Sequence, residues 1–427
     1  MNKLVKSVKG TRDFYPDEMA IRQWLISKVR QTSQAFGYQE YDGPCIETIE
    51  LYAAKSGEEL VKEQAFVFPD RGGDQIALRP ELTPTLARMV ASRQNELTFP
   101  LRWWSFGPFW RYERPQKGRS REFFQWNIDL IGTESVLADA ELVAVAASFL
   151  NSVGLTVDQV QIKVNNRQLM DSALSGIGID QGLKPAVLKL VDRIDKQPAD
   201  VWDENVLALG LKQNQLSELK ELLLNQQLWK ESAQLCDFFQ AVQWLGVQDY
   251  VSYDPKIIRG LDYYTGTVFE ARDTKGEFRA ILGGGHYSNL VADVGGKPLS
   301  GVGFAMGDVV IQIMLEAYGL LPQSAGNQAD VFVTVFDEFT QAVSYQVASQ
   351  LRQQGFKVIS FPEVEKLTKQ LKYADRLGVK LALVIGPDEL ANNKVVVKNL
   401  VTREQEVIPR DMLENKLRFE LAQPKAL

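Results

Sequence analysis

Phe109-Trp-Arg-Tyr-Glu-Arg-Pro-Gln-Lys-Gly-Arg-Ser-Arg-Glu122 is the stretch on which the fold turns. Two β-like runs, Trp103 to Tyr112 and Phe123 to Ile131, flank a glycine-containing basic loop, so the segment predicts two antiparallel strands joined by that loop. Between Arg102 and Arg121 six basic residues stand against a single acid, Glu113. The chain as a whole has the opposite sign, with 48 Lys plus Arg against 54 Asp plus Glu and a net charge of -6. Such a local reversal aims Arg111, Arg114, Lys117, Arg119 and Arg121 at phosphates, because a guanidinium grips phosphate bidentately and stabilises charge developing in phosphoryl transfer. By composition alone, a solvated charged hairpin accounts for the same residues about as well.

Outward from this hairpin, Phe66 to Phe68 and Gln75 to Leu78 read as further strands, and Asp17 to Phe36 and Asp139 to Val153 as helices. The alternating run Gln159 to Val164 follows, and together these predict an antiparallel sheet flanked by helices. From about Gln168 to Gln248 the texture changes to Leu, Gln, Lys and Glu, as in Leu216-Ser-Glu-Leu-Lys-Glu-Leu-Leu-Leu224, which predicts a helical insertion. The β texture resumes at Gly266 to Arg272 and Phe278 to Leu282 around a hairpin turn at Asp273 to Gly276. Pro322 to Gln328 reads as a polar linker. Beyond it, strands at Asp330 to Phe336, Lys357 to Phe361, Lys380 to Ile385 and Lys394 to Leu400 alternate with helices near Gln341 to Gln354 and Val364 to Leu377. That alternation predicts a separate α/β domain with a mostly parallel sheet. Its charges are nearly balanced, so the chain's acidity lies in the front portion.

The length of 427 residues and a 45% hydrophobic content predict two or three globular domains. Two cysteines, Cys45 and Cys236, lie far apart and in no metal-ligand spacing, which indicates neither a disulfide framework nor a cysteine zinc site and fits a reducing, cytoplasmic setting. The longest apolar stretch, Leu142 to Leu155, is broken by Ser148, Asn151 and Ser152 and is too short to cross a bilayer. There is one histidine, His286. It excludes the two-histidine H-E-x-x-H zinc site and leaves hydrolase triads a single candidate base. No G-x-x-x-x-G-K-[ST] loop is present.

Three further constellations stand out. Arg259-Gly-Leu-Asp-Tyr-Tyr-Thr-Gly266 sets charges beside paired tyrosines, which suits a polar ligand, though a tyrosine-packed turn fits the spacing alone better. In Leu78-Arg-Pro-Glu-Leu-Thr-Pro-Thr85 two prolines stiffen the backbone near Glu81, a carboxylate that could capture an ammonium, and Thr83 reads as the cap of a helix from Pro84. Gly283-Gly-Gly-His-Tyr-Ser288 gives close ligand approach, a bulge or a tight crossing. Asp129, in the alternating run Trp126 to Ile131, is either solvent-facing or a pocket acid.

Taken in order, Lys9-Gly-Thr-Arg-Asp-Phe-Tyr-Pro-Asp17, the Arg79-Pro-Glu81 turn, Arg111 to Arg119, Arg259 to Gly266 and Gly301-Val-Gly-Phe-Ala-Met-Gly307 resemble the histidyl-tRNA synthetase family. The resemblance implies a class II catalytic core at 1–167 and 251–322, a helical insertion at 168–250 and an anticodon-binding domain at 329–427. It implies a homodimer formed around Lys9 to Gly43, with histidine, ATP, Mg²⁺ and tRNA(His) as substrates and partners. Residue by residue, Arg111 is similar to the arginine on the ATP α-phosphate, Glu113 and Arg119 to ATP contacts, and Arg259 to an arginine facing the α-phosphate and the substrate carboxylate. Glu81 and Thr83, with Gln125 nearby, match the positions that hold the histidine α-amino group. Asp129, Tyr263, Tyr264 and Tyr287 match the imidazole side of the pocket.

The sequence departs from the family pattern twice. Gly307 is followed by Asp308-Val-Val310 where Gly-Leu-Glu-Arg is usual, so Val310 stands in the place of an arginine on the ATP γ-phosphate. Lys297 and other nearby basic residues are candidates to replace it, and their spacing supports no choice among them. Gly285-His-Tyr-Ser288 stands where Gly-Arg-Tyr-Asp is usual. The rival reading is a catalytically silent paralogue, the histidine-sensing regulatory subunit of ATP phosphoribosyltransferase. Arg111, Arg119, Arg259 and the tail domain count against it.

Overall fold

The computed structural model describes residues 5–53, 64–258, 264–322 and 329–422. Contacts divide the chain into two units, residues 1–15 with 21–321 and residues 16–20 with 322–427. The first is built on an eight-stranded sheet of β1 (Gln39–Glu40), β2 (Leu101–Trp110), β3 (Glu122–Ile131), β4 (Val160–Asn166), β5 (Val251–Tyr253), β6 (Tyr264–Asp273), β7 (Leu282–Tyr287) and β8 (Gly301–Gly307). Their order across the sheet is β1-β2-β3-β8-β7-β6-β4-β5. The six central strands are antiparallel, and the short edge strands β1 and β5 pair parallel with their neighbours. Helices α1 (Pro16–Ala35), α2 (Thr83–Arg93), α3 (Val136–Ser152) and α4 (Asp308–Ala317) accompany this sheet.

Side chains along a strand alternate between faces, and here the alternation separates packing from chemistry. Trp126, Ile128 and Leu130 of β3 join one continuous core with α3, and the Trp126 and Phe149 rings lie 5.2 Å apart. A fully buried tryptophan of this kind is worth about 3–5 kcal/mol. The apolar stretch noted in the sequence is α3 itself, buried on most of its circumference. The Ser135 hydroxyl accepts the Leu137 N–H at its start. Phe123, Gln125, Asn127 and Asp129 point to the opposite face.

The predicted strand at Phe278 to Leu282 starts later, at Leu282, and runs through Gly283, Gly284 and Gly285 to Tyr287. A run of glycines sits mid-sheet because its neighbours occupy the space. A Cβ on Gly285 would lie 2.8 Å from a Tyr264 ring carbon and 2.8 Å from the Thr267 carbonyl. One on Gly303 would overlap the Asp129 carboxylate.

Five helices, Arg167–Gly176, Lys184–Val191, Ala199–Ala208, Gln213–Leu224 and Ala233–Trp244, occupy the region read as a helical insertion. Asn166 caps the first, accepting the Gln168 and Leu169 N–H groups, and Leu216, Leu219 and Leu223 bury one face of the fourth. A small sheet orders Ile46–Thr48, Gln75–Leu78 and Phe66–Pro69 with the Gln75–Leu78 strand central. Thr83 does not cap α2. The helix begins at Thr83 itself with Leu82 before it, because the Leu82 carbonyl already accepts the Leu86 N–H at 2.9 Å.

The second unit has a five-stranded sheet ordered Val358–Ser360, Val331–Val333, Leu381–Val384, Lys394–Asn399, Gln405–Pro409. The mostly parallel expectation needs correction: two pairings are parallel and two antiparallel. The strand at Gln405–Pro409 was not anticipated, and the turn after Asn399 is too short for a parallel crossover. The linker read at Pro322 to Gln328 lies, after Pro322, outside the described residues. No described helix is long and apolar enough to cross a membrane.

Candidate active site

The site face of β2 is organised by a residue the sequence presented only as part of a turn. Arg79 is fully buried (0% exposed). Its Nε donates to the Pro108 carbonyl at 2.9 Å, and its Nη1 donates to Asp42 Oδ1 at 2.8 Å and to the Gly43 carbonyl at 2.9 Å. Its guanidinium lies over the Phe109 ring, in space that a side chain at Gly107 would occupy. The anchored turn carries Pro80, whose carbonyl accepts Arg111 Nε at 3.0 Å. Glu81, buried, and Thr83, at the first position of α2, therefore belong to the same rigid turn that orients Arg111. A lone arginine before proline in an apolar context was the available signal for Arg79.

Arg111 also lies over the Phe123 ring, 5.3 Å from its centroid. The loop that follows folds back through a Gln116–Arg119 bridge with Gly118 at φ +79. Arg119 pairs with Glu113 at 3.0 Å. Arg111, Glu113, Arg119, Gln125 and Val310 line one cleft of ≈ 620 Å³. Three of the five cations aimed at phosphates do otherwise. Arg121 turns onto the Tyr112 ring and donates to the Glu113 carbonyl, while Arg114 and Lys117 are exposed and outside the cleft lining. A loop's local composition does not say which of its side chains face inward.

On the same face, one pleat repeat from Gln125 and then another, stand Asn127 and Asp129. Asp129 is 6% exposed and accepts the Tyr287 hydroxyl at 3.0 Å. Burial pushes its carboxyl up to about 7, and the Tyr287 hydrogen bond opposes the rise. It is a pocket acid rather than a solvent-facing one. Tyr287 pairs in register with Tyr264 across β7 and β6. Two neighbours escaped the sequence reading. Asn127 Nδ2 and the Tyr41 hydroxyl are buried and have no hydrogen-bond partner among the described residues. Tyr41 packs on Trp103, the register partner of Asp129, and burial together with the Asp129 charge raises its phenol well above the ordinary range. Period-two alternation through Asp129 was the signal for Asn127.

Asp308 gives the departure after Gly307 a structural meaning. Its carboxylate accepts the Phe124 N–H of β3 at 2.9 Å and pairs with Arg12 at 2.8 Å. It thereby ties the Lys9 to Asp17 motif to the strand that carries Gln125 and Asp129. His286 faces away from the site, with its Nδ1 donating to Asp139 of α3 at 2.8 Å on the packed side of the sheet. Arg259 and Tyr263 lie outside the described residues.

Two kinds of environment thus share one sheet face: a cleft lined by guanidinium groups, and a buried carboxylate and tyrosine backed by glycines. Comparison with known proteins identifies the family. The family model for histidyl-tRNA synthetase matches residues 10–308, and that for an anticodon binding domain matches residues 330–420. The histidine–tRNA ligase of Opitutus terrae is 40% identical, over 97% of this chain and 98% of that protein. The chloroplastic/mitochondrial histidine–tRNA ligase of Arabidopsis thaliana is 36% identical, over 94% of this chain and 84% of its own. The crystal structure of histidyl-tRNA synthetase from Nostoc sp. PCC 7120 shares the fold at a TM-score of 0.82 and 24% identity, covering 98% of this chain and 100% of that one.

Proposed function

Since the chain belongs to the histidyl-tRNA synthetase family, we infer that it is a histidine–tRNA ligase. A carboxylate oxygen of histidine attacks the α-phosphorus of ATP, the bond from that phosphorus to the bridging oxygen breaks, and pyrophosphate leaves with the electron pair. A ribose hydroxyl of the tRNA 3′-terminal adenosine then attacks the acyl carbon of histidyl-adenylate. AMP departs, and the hydroxyl proton passes to solvent. Both steps need positioning and charge stabilisation more than a side-chain nucleophile.

The observation that carries the reading is the pairing of a cation-lined cleft with a buried, tyrosine-bonded carboxylate on one sheet face. Arg111 takes the α-phosphate and offsets the charge that grows there in the transition state. Glu113 and Arg119 hold ATP, and Arg259 faces the α-phosphate and the histidine carboxylate. Glu81, Thr83 and Gln125 receive the α-ammonium. Asp129, with one oxygen already accepting from Tyr287, keeps lone pairs for an imidazole N–H, and Tyr263 and Tyr264 complete that side. Imidazole has two distinct nitrogens, and a pocket that hydrogen-bonds them rejects amino acids lacking them.

Glu113 and Glu270 line the cleft, which fits a Mg²⁺ that uses one or two carboxylates beside substrate phosphates. Bound there, Mg²⁺ would neutralise phosphate charge. Among the described residues no cluster of three or more His, Cys, Asp or Glu forms a self-sufficient metal cage. The active form is a homodimer joined around Lys9 to Gly43, working in the cytoplasm, and the tail domain reads tRNA(His).

ATP–pyrophosphate exchange without tRNA tests the reading. Exchange with histidine and none with proline, threonine or serine is expected. Histidine binding by calorimetry with no exchange for any amino acid would instead favour the regulatory paralogue. For the tail, deleting residues 329–427 is expected to lower tRNA charging by at least about 100-fold, the scale of a lost nucleic-acid module, while exchange falls by less than about threefold. Equal losses in the two assays would make the tail a stabilising element.

A further inference from the structure

Val310 leaves one wall of the cleft without the cation that its position suggested, yet a cation stands at that wall. Arg279 lines the same cleft as Arg111 and Arg119. Its Cδ and the Val310 Cγ2 converge on Gly118, 3.6 and 3.7 Å from where a Cβ on that glycine would sit. Among the described residues its guanidinium makes no hydrogen bond or ion pair. The neighbouring Arg119 already has Glu113 at 3.0 Å.

The loop that presents Arg279 is held on both sides. Asp273, buried, accepts the Glu277 N–H at 2.7 Å and the Phe278 N–H at 3.1 Å, and the Ile281 N–H donates to the Ala271 carbonyl at 2.8 Å. Arg279 thus stands between two fixed backbone points and reaches toward like charge. Desolvation first, and then Arg119, lower its pKa from the ordinary arginine value, with Glu113 opposing. Guanidinium groups gathered this way, with less carboxylate than is needed to neutralise them, are arranged for a polyanion.

We propose that Arg279 binds the β- and γ-phosphates of ATP, and the pyrophosphate they become, at the place where Val310 cannot. The distal phosphates are favoured over the α-phosphate because Arg279 sits on the Gly118–Val310 wall, whereas Arg111 is tied to Pro80 and Phe123 beside Gln125. The assignment deepens the ligase reading and rests on it for the identity of the polyanion.

The test compares ATP with AMP on the full-length protein. In Arg279→Ala, the KM for ATP and for pyrophosphate in tRNA-free exchange rises about 10- to 100-fold, the loss of a charge-assisted hydrogen bond, and the histidine KM stays within about twofold. Calorimetric titration shows the same weakening for ATP and none for AMP, which lacks both distal phosphates. Arg279→Lys recovers part of the loss. Val310→Arg added to Arg279→Ala lowers the ATP KM again, and a double variant no better than Arg279→Ala overturns the shared subsite. An unchanged ATP KM with a raised tRNA KM would make Arg279 a nucleic-acid contact, and equal weakening of ATP and AMP would make it a nucleoside or folding contact; either overturns the proposal. Because the titrations need no turnover, absence of histidine-dependent exchange in the unmodified protein counts against the ligase reading alone, and the ATP-to-AMP comparison still decides Arg279.

Discussion

Arg111→Ala is expected to lower histidine-dependent pyrophosphate exchange by about 10²- to 10³-fold in kcat, the scale seen when a preorganised donor to developing charge is removed. The ATP KM should move far less, because a group aimed at the reacting phosphate contributes most in the transition state. The fold should survive. Arg79, not Arg111, holds the Arg79 to Glu81 turn, with three hydrogen bonds of its own, and Arg111 adds one to the Pro80 carbonyl. Circular dichroism and gel filtration matching the unmodified protein, beside the lost exchange, check this. A folded variant with near-normal exchange would remove Arg111 from the chemistry.

Asp129→Asn should weaken histidine binding by about 10²- to 10³-fold at pH 8, as when one partner of a buried, charged hydrogen-bonded pair is replaced. The pH dependence carries the sharper signature. Burial holds the Asp129 carboxyl up to about 7, so its advantage over asparagine is present above that pH and shrinks as the free protein takes up a proton below it. The titration of free histidine is common to both proteins and cancels in the ratio of their dissociation constants. That ratio, read by calorimetry from pH 8 to pH 6, should fall, and a flat ratio would show that the carboxylate does not titrate in the pocket.

Stability moves in the opposite direction. A carboxyl raised on folding favours the fold most below its unfolded value of 3.8, and that contribution is lost as pH climbs through about 7. The empty Asp129→Asn protein should therefore gain thermal stability over the unmodified one progressively across that window. Differential scanning calorimetry at pH 4, 6 and 8 measures the widening gap.

Local pattern predicted the sheet well where strands alternate. Gln75–Leu78 was bounded correctly, and β2 and β3 were placed within two residues at each end, because tryptophan, phenylalanine and isoleucine at every second position leave little choice of period. The Leu-rich run near Leu216 declared the insertion for the same reason at the helical period. What failed depended on neighbours distant in sequence. The sequence places the strand at Phe278 to Leu282, short of the three glycines, because only Phe304, Tyr264 and the ladder to β8 show why a strand there has no room for side chains. The bulge read at those glycines does occur, between Gly285 and Tyr287. One of the tail's two antiparallel pairings depended on a strand, Gln405–Pro409, whose residues are largely exposed and so carry no apolar signal.

The site divides along the same line. Arg111, Glu113 and Arg119, expected at ATP, and Gln125, expected near the histidine amino group, lie in one cleft. Arg114, Lys117 and Arg121 share their composition and not their orientation. Arg79 and Tyr41 matter through residues from which they are far in sequence, Pro108 and Asp129, and Tyr41 has no local motif to announce it. Arg279 lies in a hairpin loop, within the stretch Phe278 to Leu282 that the sequence reads as strand. Only the contact with Gly118, more than 150 residues earlier, places it at the phosphates.

The glycines beneath Asp129, Tyr264 and Tyr287 also set the direction in which amino-acid selectivity can drift. Most binding sites can be enlarged by trimming a side chain from the floor, and a promiscuous variant is often one substitution away. Here the floor at Gly285, Gly301 and Gly303 is already trimmed to hydrogen, and each position is covered by a side chain lying across it. Point changes at these three positions can only fill the pocket or push aside the groups above it. If Asp129 and the tyrosines receive the imidazole as proposed, relaxed selectivity would have to come from the roof, through loss of the carboxylate or of a tyrosine, and recognition would go in the same stroke.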